Sequence, residues 1–422
     1  MTLSAERSCA KPSADAFEAA ARSVMARCDA IAQLTEEPGV VTRTYLSDAM
    51  YNLHTMMRTW MRDAGLTVRM DAAANIFGHH RGKSFLSKTF LLGSHLDTVR
   101  NAGKYDGVLG VLAAIAVIQL LDDHVFDFGI DVVGFADTEG VRFGRPHLGS
   151  MALTGALDRN WLELKDRQGT TLEEAIYNFG LRPEELPFAA RRRESLAGCV
   201  ELHVEQGPVL DQHNAPVGVV TAVSGLTRID LRIVGQAGHA GVLPMNARKD
   251  ALAGAADAIL AVEACGQKMP GLVATVGEIR CVPNMSSVVP AEVSLVVDIR
   301  HEDNAARIHA AEGILAAIQQ MVRQRGLGLE LLSRDETPAM PLDMDLTGRL
   351  IDVIAATGNP VRKLPSGASH DASVMAGFTP TAMLLIRTPG GAGHSPDERV
   401  KVEDVAVAIR VLYEFLFQLA SA

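Results

Sequence analysis

The sequence predicts an α/β protein: a mixed-sheet domain with helices on both faces, interrupted by a compact insertion of ferredoxin-like β-α-β-β-α-β order. Three observations predict it. Apolar strand-like runs alternate with helical ones through the first half of the chain. Near Ser224 the pattern changes into six elements in β-α-β-β-α-β order, the signature of a small sandwich. After about residue 335 the first pattern resumes. A length of 422 residues also exceeds the usual span of one core, which favours two domains.

The elements follow in chain order. Residues 14–35 and 43–64 carry helical apolar periodicity, Lys88 to Leu92 reads as a strand, and Gly107 to Leu121 as a helix. Gly129 to Ala136 and Cys199 to Val204 read as buried strands, separated by a charged, helical connection over residues 158–193. In the insertion, Thr227 to Gly235 is a strand, Ala247 to Ala264 a helix, and Leu272 to Cys281 and Glu292 to Arg300 two strands. Asn304 to Arg325 is a second helix and Leu327 to Leu332 a last strand. The helix Leu346 to Ala356 and the strand Pro380 to Ile386 then return to the outer domain. The expected division is 1–222 with 336–422 for the outer domain and 223–335 for the insertion.

Composition excludes several classes. Apolar residues make up 48% and charged residues 21%, which describes a globular chain with ample core material. Fifty acidic residues against 40 basic ones leave a net charge of −10, and the basic run Arg191-Arg192-Arg193 has no interleaved aromatics, so nucleic acid is not an expected partner. The longest apolar stretches fall short of the roughly 20 residues a bilayer requires, so no membrane span is expected. Residues 1–17 lack the apolar core of a secretory signal, and a cytoplasmic location is expected. The five cysteines (Cys9, Cys28, Cys199, Cys265 and Cys281) are scattered and form no CxxC, which speaks for reduced thiols and against a cysteine zinc site.

The chemistry concentrates where strands give way to loops. His95 and Asp97 lie in Gly93-Ser94-His95-Leu96-Asp97, and Asp106 in Lys104-Tyr105-Asp106-Gly107 before a helix. Glu139 follows the strand 129–136, His203 lies in Glu201-Leu202-His203-Val204-Glu205-Gln206, and His394 follows Gly390-Gly391-Ala392-Gly393. In an α/β sheet such ends converge on one crevice. Three imidazoles and two carboxylates, one carboxylate shared, suffice for two divalent cations with coordination room left for water and substrate. Each histidine taken singly also fits a hydrogen-bonded loop residue.

These motifs resemble the dinuclear metal amidohydrolases of the aminoacylase and carboxypeptidase superfamily, and within it the N-carbamoyl-L-amino-acid hydrolase, allantoate amidohydrolase and β-ureidopropionase branch. The resemblance is carried by 93–99 with 104–110, by 201–208, by Ala237-Gly238-His239-Ala240-Gly241 with 244–251, and by His370-Asp371-Ala372. It implies that Asp106 bridges two metal ions (Zn, Mn, Co or Ni), with His95 and His203 completing one site and Glu139 and His394 the other. It implies that Asp97 orients an imidazole, and that the insertion is a lid and homodimerisation domain. Its His239 would steady a developing oxyanion, and Arg300, helped by Asn284, would grip the carboxylate of a small-molecule substrate. Gln206 would face the ureido or amide end, with His370 beside the pocket.

One departure stands out. The family pairs two glutamates, a general base and then a ligand, where this chain reads Thr138-Glu139. Threonine has no accessible pKa near neutrality, and proton transfer by a positioned base is typically worth about 10²–10⁴ in rate. Asp137 points to the opposite face if the strand stays regular. Ser369 replaces a glycine before His370, and Gly393 a serine before His394. Three readings remain open: a hydrolase of an N-carbamoyl or N-acyl amino acid that works without the usual base, a Lewis-acid lyase, isomerase or acyl-transfer enzyme on the same metals, and a non-catalytic metal-bound binding protein.

Overall fold

The computed structural model describes residues 11–122 and 124–421; these fall into two units, the described residues up to 221 with those from 342 onward, and 222–341. Cys9 and the first ten residues of the N-terminal reading lie outside the described residues. The other four cysteines are free thiols.

In chain order the strands are β1 (Thr67–Met70), β2 (Ile76–His80), β3 (Thr89–His95), β4 (Gly129–Phe135), β5 (Leu196–Val204), β6 (Val217–Val223), β7 (Gly225–Val234), β8 (Gly238–His239), β9 (Val273–Val282), β10 (Val288–Val289), β11 (Glu292–His301), β12 (Gly328–Thr337), β13 (Met340–Pro341), β14 (Lys363–Ser366) and β15 (Thr381–Ile386). The first unit is built on a mixed sheet of order β1-β2-β4-β3-β5-β15-β6, with β14 also pairing β6. Its centre, β4-β3-β5-β15, is parallel throughout. That fixes the site, because four parallel strands end on one edge.

Burial explains why these segments are strands and helices. β3 and β4 are buried at every position, as a sheet covered on both faces requires. The helix Val108–Leu121 is apolar all round and nearly wholly buried, a core helix rather than an amphipathic one. It lies so close to β5 that a Cβ at Gly110 would stand 1.9 Å from the Leu202 carbonyl oxygen. The helices Ala14–Ile31, Met344–Ala356 and Val402–Ala420 pack into the same core.

The second unit has an antiparallel sheet of order β12-β7-β11-β9, backed by the helices Ala251–Lys268 and Asn304–Gln324, with β8 and β10 as a short extra ribbon. Its own core gathers Ile229, Leu231 and Ile233 of β7, Val293, Leu295, Val297 and Ile299 of β11, and Ala255, Ile314 and Ile318 of the helices. This is the ferredoxin-like order expected from the pattern.

Several boundaries moved for local reasons. The helix expected over 43–64 starts at Asp48, capped by Ser47, because residues 42–44 are held extended: Arg43 N donates to Thr98 Oγ1 and Thr98 N to the Arg43 carbonyl. The helix expected over 247–264 runs 251–268 from an Asp250 cap whose carboxylate accepts from Leu252 N and Ala253 N. Residues 158–193 are helical as expected, but in short pieces, Arg159–Glu163, Leu172–Asn178 and Pro183–Ala189, rather than one run. The boundary expected near 335 falls inside β12, which continues to Thr337. Among the described residues no helix is long and apolar enough to cross a membrane.

Candidate metal centre

Each central parallel strand delivers polar groups at its C-terminal end. β3 ends on His95, β5 carries His203 one residue before its end, and the loops after β4 and β15 carry Glu139 and His394. Gly93 pairs Glu201 across β3 and β5, so His95 and His203, two residues further on each strand, rise side by side. Asp106 stands in the turn before the buried helix.

Two clusters of ligand-type atoms result. His95, Asp106 and His203 form one and Asp106, Glu139 and His394 the other, the atoms of each lying within 4.8 Å of one another. His203 Nε2 is 3.1 Å and His95 Nε2 3.6 Å from Asp106 Oδ1, while His394 Nε2 is 3.5 Å from Asp106 Oδ2 and 3.3 Å from Glu139 Oε1.

The hydrogen bonds settle which nitrogens are free. His95 Nδ1 donates to the Asp97 carbonyl at 2.9 Å and His203 Nδ1 to the Val204 carbonyl at 2.8 Å. A carbonyl oxygen only accepts, so each Nδ1 carries a proton, and Nε2 is the nitrogen of each ring left to take a metal ion or a second proton. Those two Nε2 atoms lie 3.1 Å apart. Two ring nitrogens at that separation need a positive charge between them, a proton or a metal ion, and Asp106 Oδ2, on the side of His394, is buried without a hydrogen-bond partner. The donor set therefore fits divalent cations.

Electrostatics point the same way. Burial opposes charge on both imidazoles, but the Asp106 carboxylate outweighs it, raising His95 well above and His203 above the ordinary histidine value. Burial also opposes ionisation of Asp106, yet the imidazoles of His203 and His95 hold it well below the usual carboxylate range.

The remaining candidates divide by unit. The Asp97 carboxylate lies 3.7 Å from His95 Nδ1, within ion-pair reach, and its charge helps raise the His95 pKa. The hydrogen bond to that nitrogen goes to the Asp97 backbone carbonyl, while Oδ1 accepts from Thr138 N at 3.0 Å and Oδ2 from Glu139 N at 2.9 Å. Asp137 does leave the regular strand, at φ 54°, but the turn buries it completely, with both carboxylate oxygens unpartnered. Burial, then the charge of Asp97, raises its pKa well above the carboxylate range. Thr138 is buried and donates from Oγ1 to Asp371 Oδ2 at 2.5 Å. Gln206 Nε2 donates to Asp106 Oδ1 at 3.1 Å. The buried His370 shares a 2.7 Å hydrogen bond between Nε2 and Ser366 Oγ, and its ring stands edge-on to His203 at 4.6 Å.

His239, Asn284 and Arg300 belong to the second unit. His239 and Asn284 are exposed, and His239 Nδ1 accepts from Gly241 N at 3.1 Å. Arg300 forks onto Asp298, Nε to Oδ1 at 2.7 Å and Nη2 to Oδ2 at 3.0 Å.

Three buried carboxylates around the centre escaped the sequence reading as site residues. Glu398 Oε1 accepts from Tyr105 N at 2.9 Å and Asp106 N at 3.1 Å, which fixes the Asp106 backbone, and its burial and the charge of Asp106 push its pKa up to about 7. Glu201 Oε2 accepts from Ala372 N at 2.6 Å, which ties β5 to the segment carrying His370. Asp371 accepts from Thr138 and from Ser150, whose Oγ lies 2.5 Å from Oδ1. A carboxylate inside an otherwise apolar strand was the available signal for Glu201. Asp371 lay inside the motif His370-Asp371-Ala372, and Glu398 carried no signal, since its partners Tyr105 and Asp106 lie far away in the chain.

Comparison with known proteins agrees with this geometry. A profile of peptidase family M20/M25/M40 matches residues 91–418. The N-carbamoyl-L-amino acid amidohydrolase of Geobacillus stearothermophilus is 36% identical over 384 residues, covering 90% of this chain and 94% of its own. The allantoate deiminase of Arabidopsis thaliana is 34% identical over 425 residues, covering 93% and 81%. A crystal structure of an amidase of the hydantoinase/carbamoylase family from Burkholderia multivorans superposes with a TM-score of 0.88 at 28% identity, covering 95% of this chain and 98% of that one. The chain belongs to peptidase family M20/M25/M40.

Proposed function

We propose that the protein is a metal-dependent hydrolase of a linear C–N bond, amide or ureido, in an N-carbamoyl or N-acyl amino-acid-like substrate that carries a carboxylate. The observation that carries this reading is the pair of ligand clusters sharing Asp106, with the Nε2 atoms of His95 and His203 3.1 Å apart. The carbamoyl amino acid and allantoate relatives support the substrate class. In this reading His95, Asp106 and His203 hold one divalent cation, and Asp106, Glu139 and His394 hold the other. Imidazole and carboxylate donors accept zinc, manganese, cobalt or nickel. When bound, such a pair lowers the pKa of a water molecule and polarises the scissile carbonyl.

The chain's own groups do the rest. Asp97 anchors the Thr138-Glu139 backbone, Glu398 anchors Asp106, and Gln206 faces the ureido or amide end. His239 steadies the developing oxyanion, and Arg300 exchanges Asp298 for the substrate carboxylate with help from Asn284; a guanidinium fork suits that planar group. The reading includes a cytoplasmic homodimer. Its support is β9, an edge strand that exposes Val273, Ile279 and Val282.

A second reading rests on Thr138: without a carboxylate at that position, the same metals serve a non-hydrolytic lyase, isomerase or acyl-transfer step. One experiment separates the two. The metal-loaded protein is given N-carbamoyl, N-formyl and N-acyl amino acids and allantoate in ¹⁸O-water. Release of amine or ammonia, with ¹⁸O in the carboxylate freed from the acyl substrates, is expected. Substrate loss without amine release or ¹⁸O would favour the second reading.

A further inference from the structure

Two of the departures noted in the sequence, Thr138 and Ser369, meet at one buried carboxylate. Asp371 Oδ2 accepts from Thr138 Oγ1, and Asp371 Oδ1 faces His147 Nδ1 at 3.6 Å, longer than a hydrogen bond but within ion-pair reach. The opposite ring nitrogen, His147 Nε2, lies 2.6 Å from Ser369 Oγ. His147 is buried and holds φ 64°; among the described residues its Nδ1 has no hydrogen-bond partner, and Asp371 is the carboxylate that faces that side of the ring. Ser369, by contrast, is exposed. A hydroxyl on an exposed residue, an imidazole in hydrogen-bond contact with it, and a buried carboxylate behind the imidazole are the parts of an activated serine.

The placement relative to the metal centre is direct. Ser369 precedes His370, whose ring touches that of His203, and Thr138 precedes Glu139. The Thr138 hydroxyl donates to Asp371 Oδ2 and the Ser150 hydroxyl to Oδ1, and the carboxylate held by these two donors faces His147 as an anion. The loss of the family's base and the gain of the serine are therefore compatible parts of one arrangement.

We propose that Ser369, His147 and Asp371 form a nucleophile, base and orienting carboxylate that take over the work of the missing glutamate. The proposal rests on the C–N hydrolysis reading for its substrate. Ser369 Oγ bonds to the scissile carbonyl carbon and its proton passes to His147 Nε2. The C–N bond breaks, and the leaving nitrogen takes that proton from His147. Water then attacks the acyl- or carbamoyl-Ser369 ester, giving one proton to His147 Nε2. The ester C–O bond breaks, and Ser369 Oγ recovers the proton.

The test is covalent labelling of the metal-loaded protein with a fluorophosphonate, which esterifies an activated serine with loss of fluoride, read by peptide mass spectrometry. Ser369 is expected to label at least about 100-fold faster than the exposed Ser84, and to lose that advantage in His147→Gln, in line with the usual contribution of a positioned base. Labelling of Ser369 no faster than Ser84, or unchanged labelling in His147→Gln, overturns the proposal. The wild-type comparison decides even where His147→Gln does not fold. Ser369→Ala, a change at an exposed position, is expected to abolish turnover of the acyl and carbamoyl substrates. A wild-type protein that labels at Ser369 yet turns over no substrate in the panel upholds the triad and defeats the C–N hydrolysis reading, so the two fail separately.

Discussion

At the scale of single residues, the centre depends on groups that hold the ligands as much as on the ligands. Asp97 accepts two backbone N–H groups of the Thr138-Glu139 turn. Asp97→Ala strands both, and a buried unmet donor costs about 1–3 kcal/mol. A lowered melting temperature and loss of the metal held through Glu139 are expected, read by calorimetry and elemental analysis. Thr138→Glu in a Ser369→Ala background is a sharper case. Restoring the family's carboxylate where the serine has been removed should recover about 10²–10⁴ in rate, the usual range for a positioned base. No recovery would show that position 138 has no access to the reacting water. The ligands were legible because histidines and carboxylates recur directly after strand-like runs. Their supports were not: Glu398 reaches Asp106 across 292 positions of the chain, and the Asp97 carboxylate accepts two backbone N–H groups besides facing His95.

At the scale of elements, close packing and buried titratable groups set the limits. Gly110 lets the helix Val108–Leu121 lie on β5, and Gly110→Ala drives a methyl into the Leu202 carbonyl. Overpacking of this kind costs at least about 1–3 kcal/mol, so a lower urea midpoint is expected. In the helix Asp48–Asp63, His54 is buried against Phe179, and burial, then the charge of Arg58, lowers its pKa from 6.5 to about 4. The unfolded chain therefore takes up a proton first. Stability from this group is full above pH 6.5 and is lost as pH falls toward 4, by up to about 3 kcal/mol. His54→Leu should flatten that part of the stability profile in urea titrations; an unchanged slope would place the acid sensitivity elsewhere. Long periodic segments such as 304–325 were readable within a residue or so. β1, β2 and β14 were missed because they are four or five residues long and only partly apolar.

At the scale of the whole molecule, a contiguous segment with its own core interrupts the chain that carries the metal centre. Residues 222–341 expressed alone are expected to unfold cooperatively, since their sheet and two helices enclose a separate buried cluster. A broad, non-cooperative melt would contradict that. The proposed dimer makes a second claim: sedimentation equilibrium should give twice the chain mass, and a charge at Ile279 on the exposed edge strand should shift it toward monomer. The β-α-β-β-α-β order was legible because each element of the insertion repeats its own period, while its ends were blurred by β12 running on to Thr337. The central claim is that Asp106 is shared by two cations, and metal stoichiometry tests it most directly. Elemental analysis after equilibration with excess zinc or manganese and gel filtration should give two equivalents in the wild type, none in Asp106→Ala, and one in Glu139→Ala. Two equivalents retained without Asp106, or none in the wild type, would contradict the account.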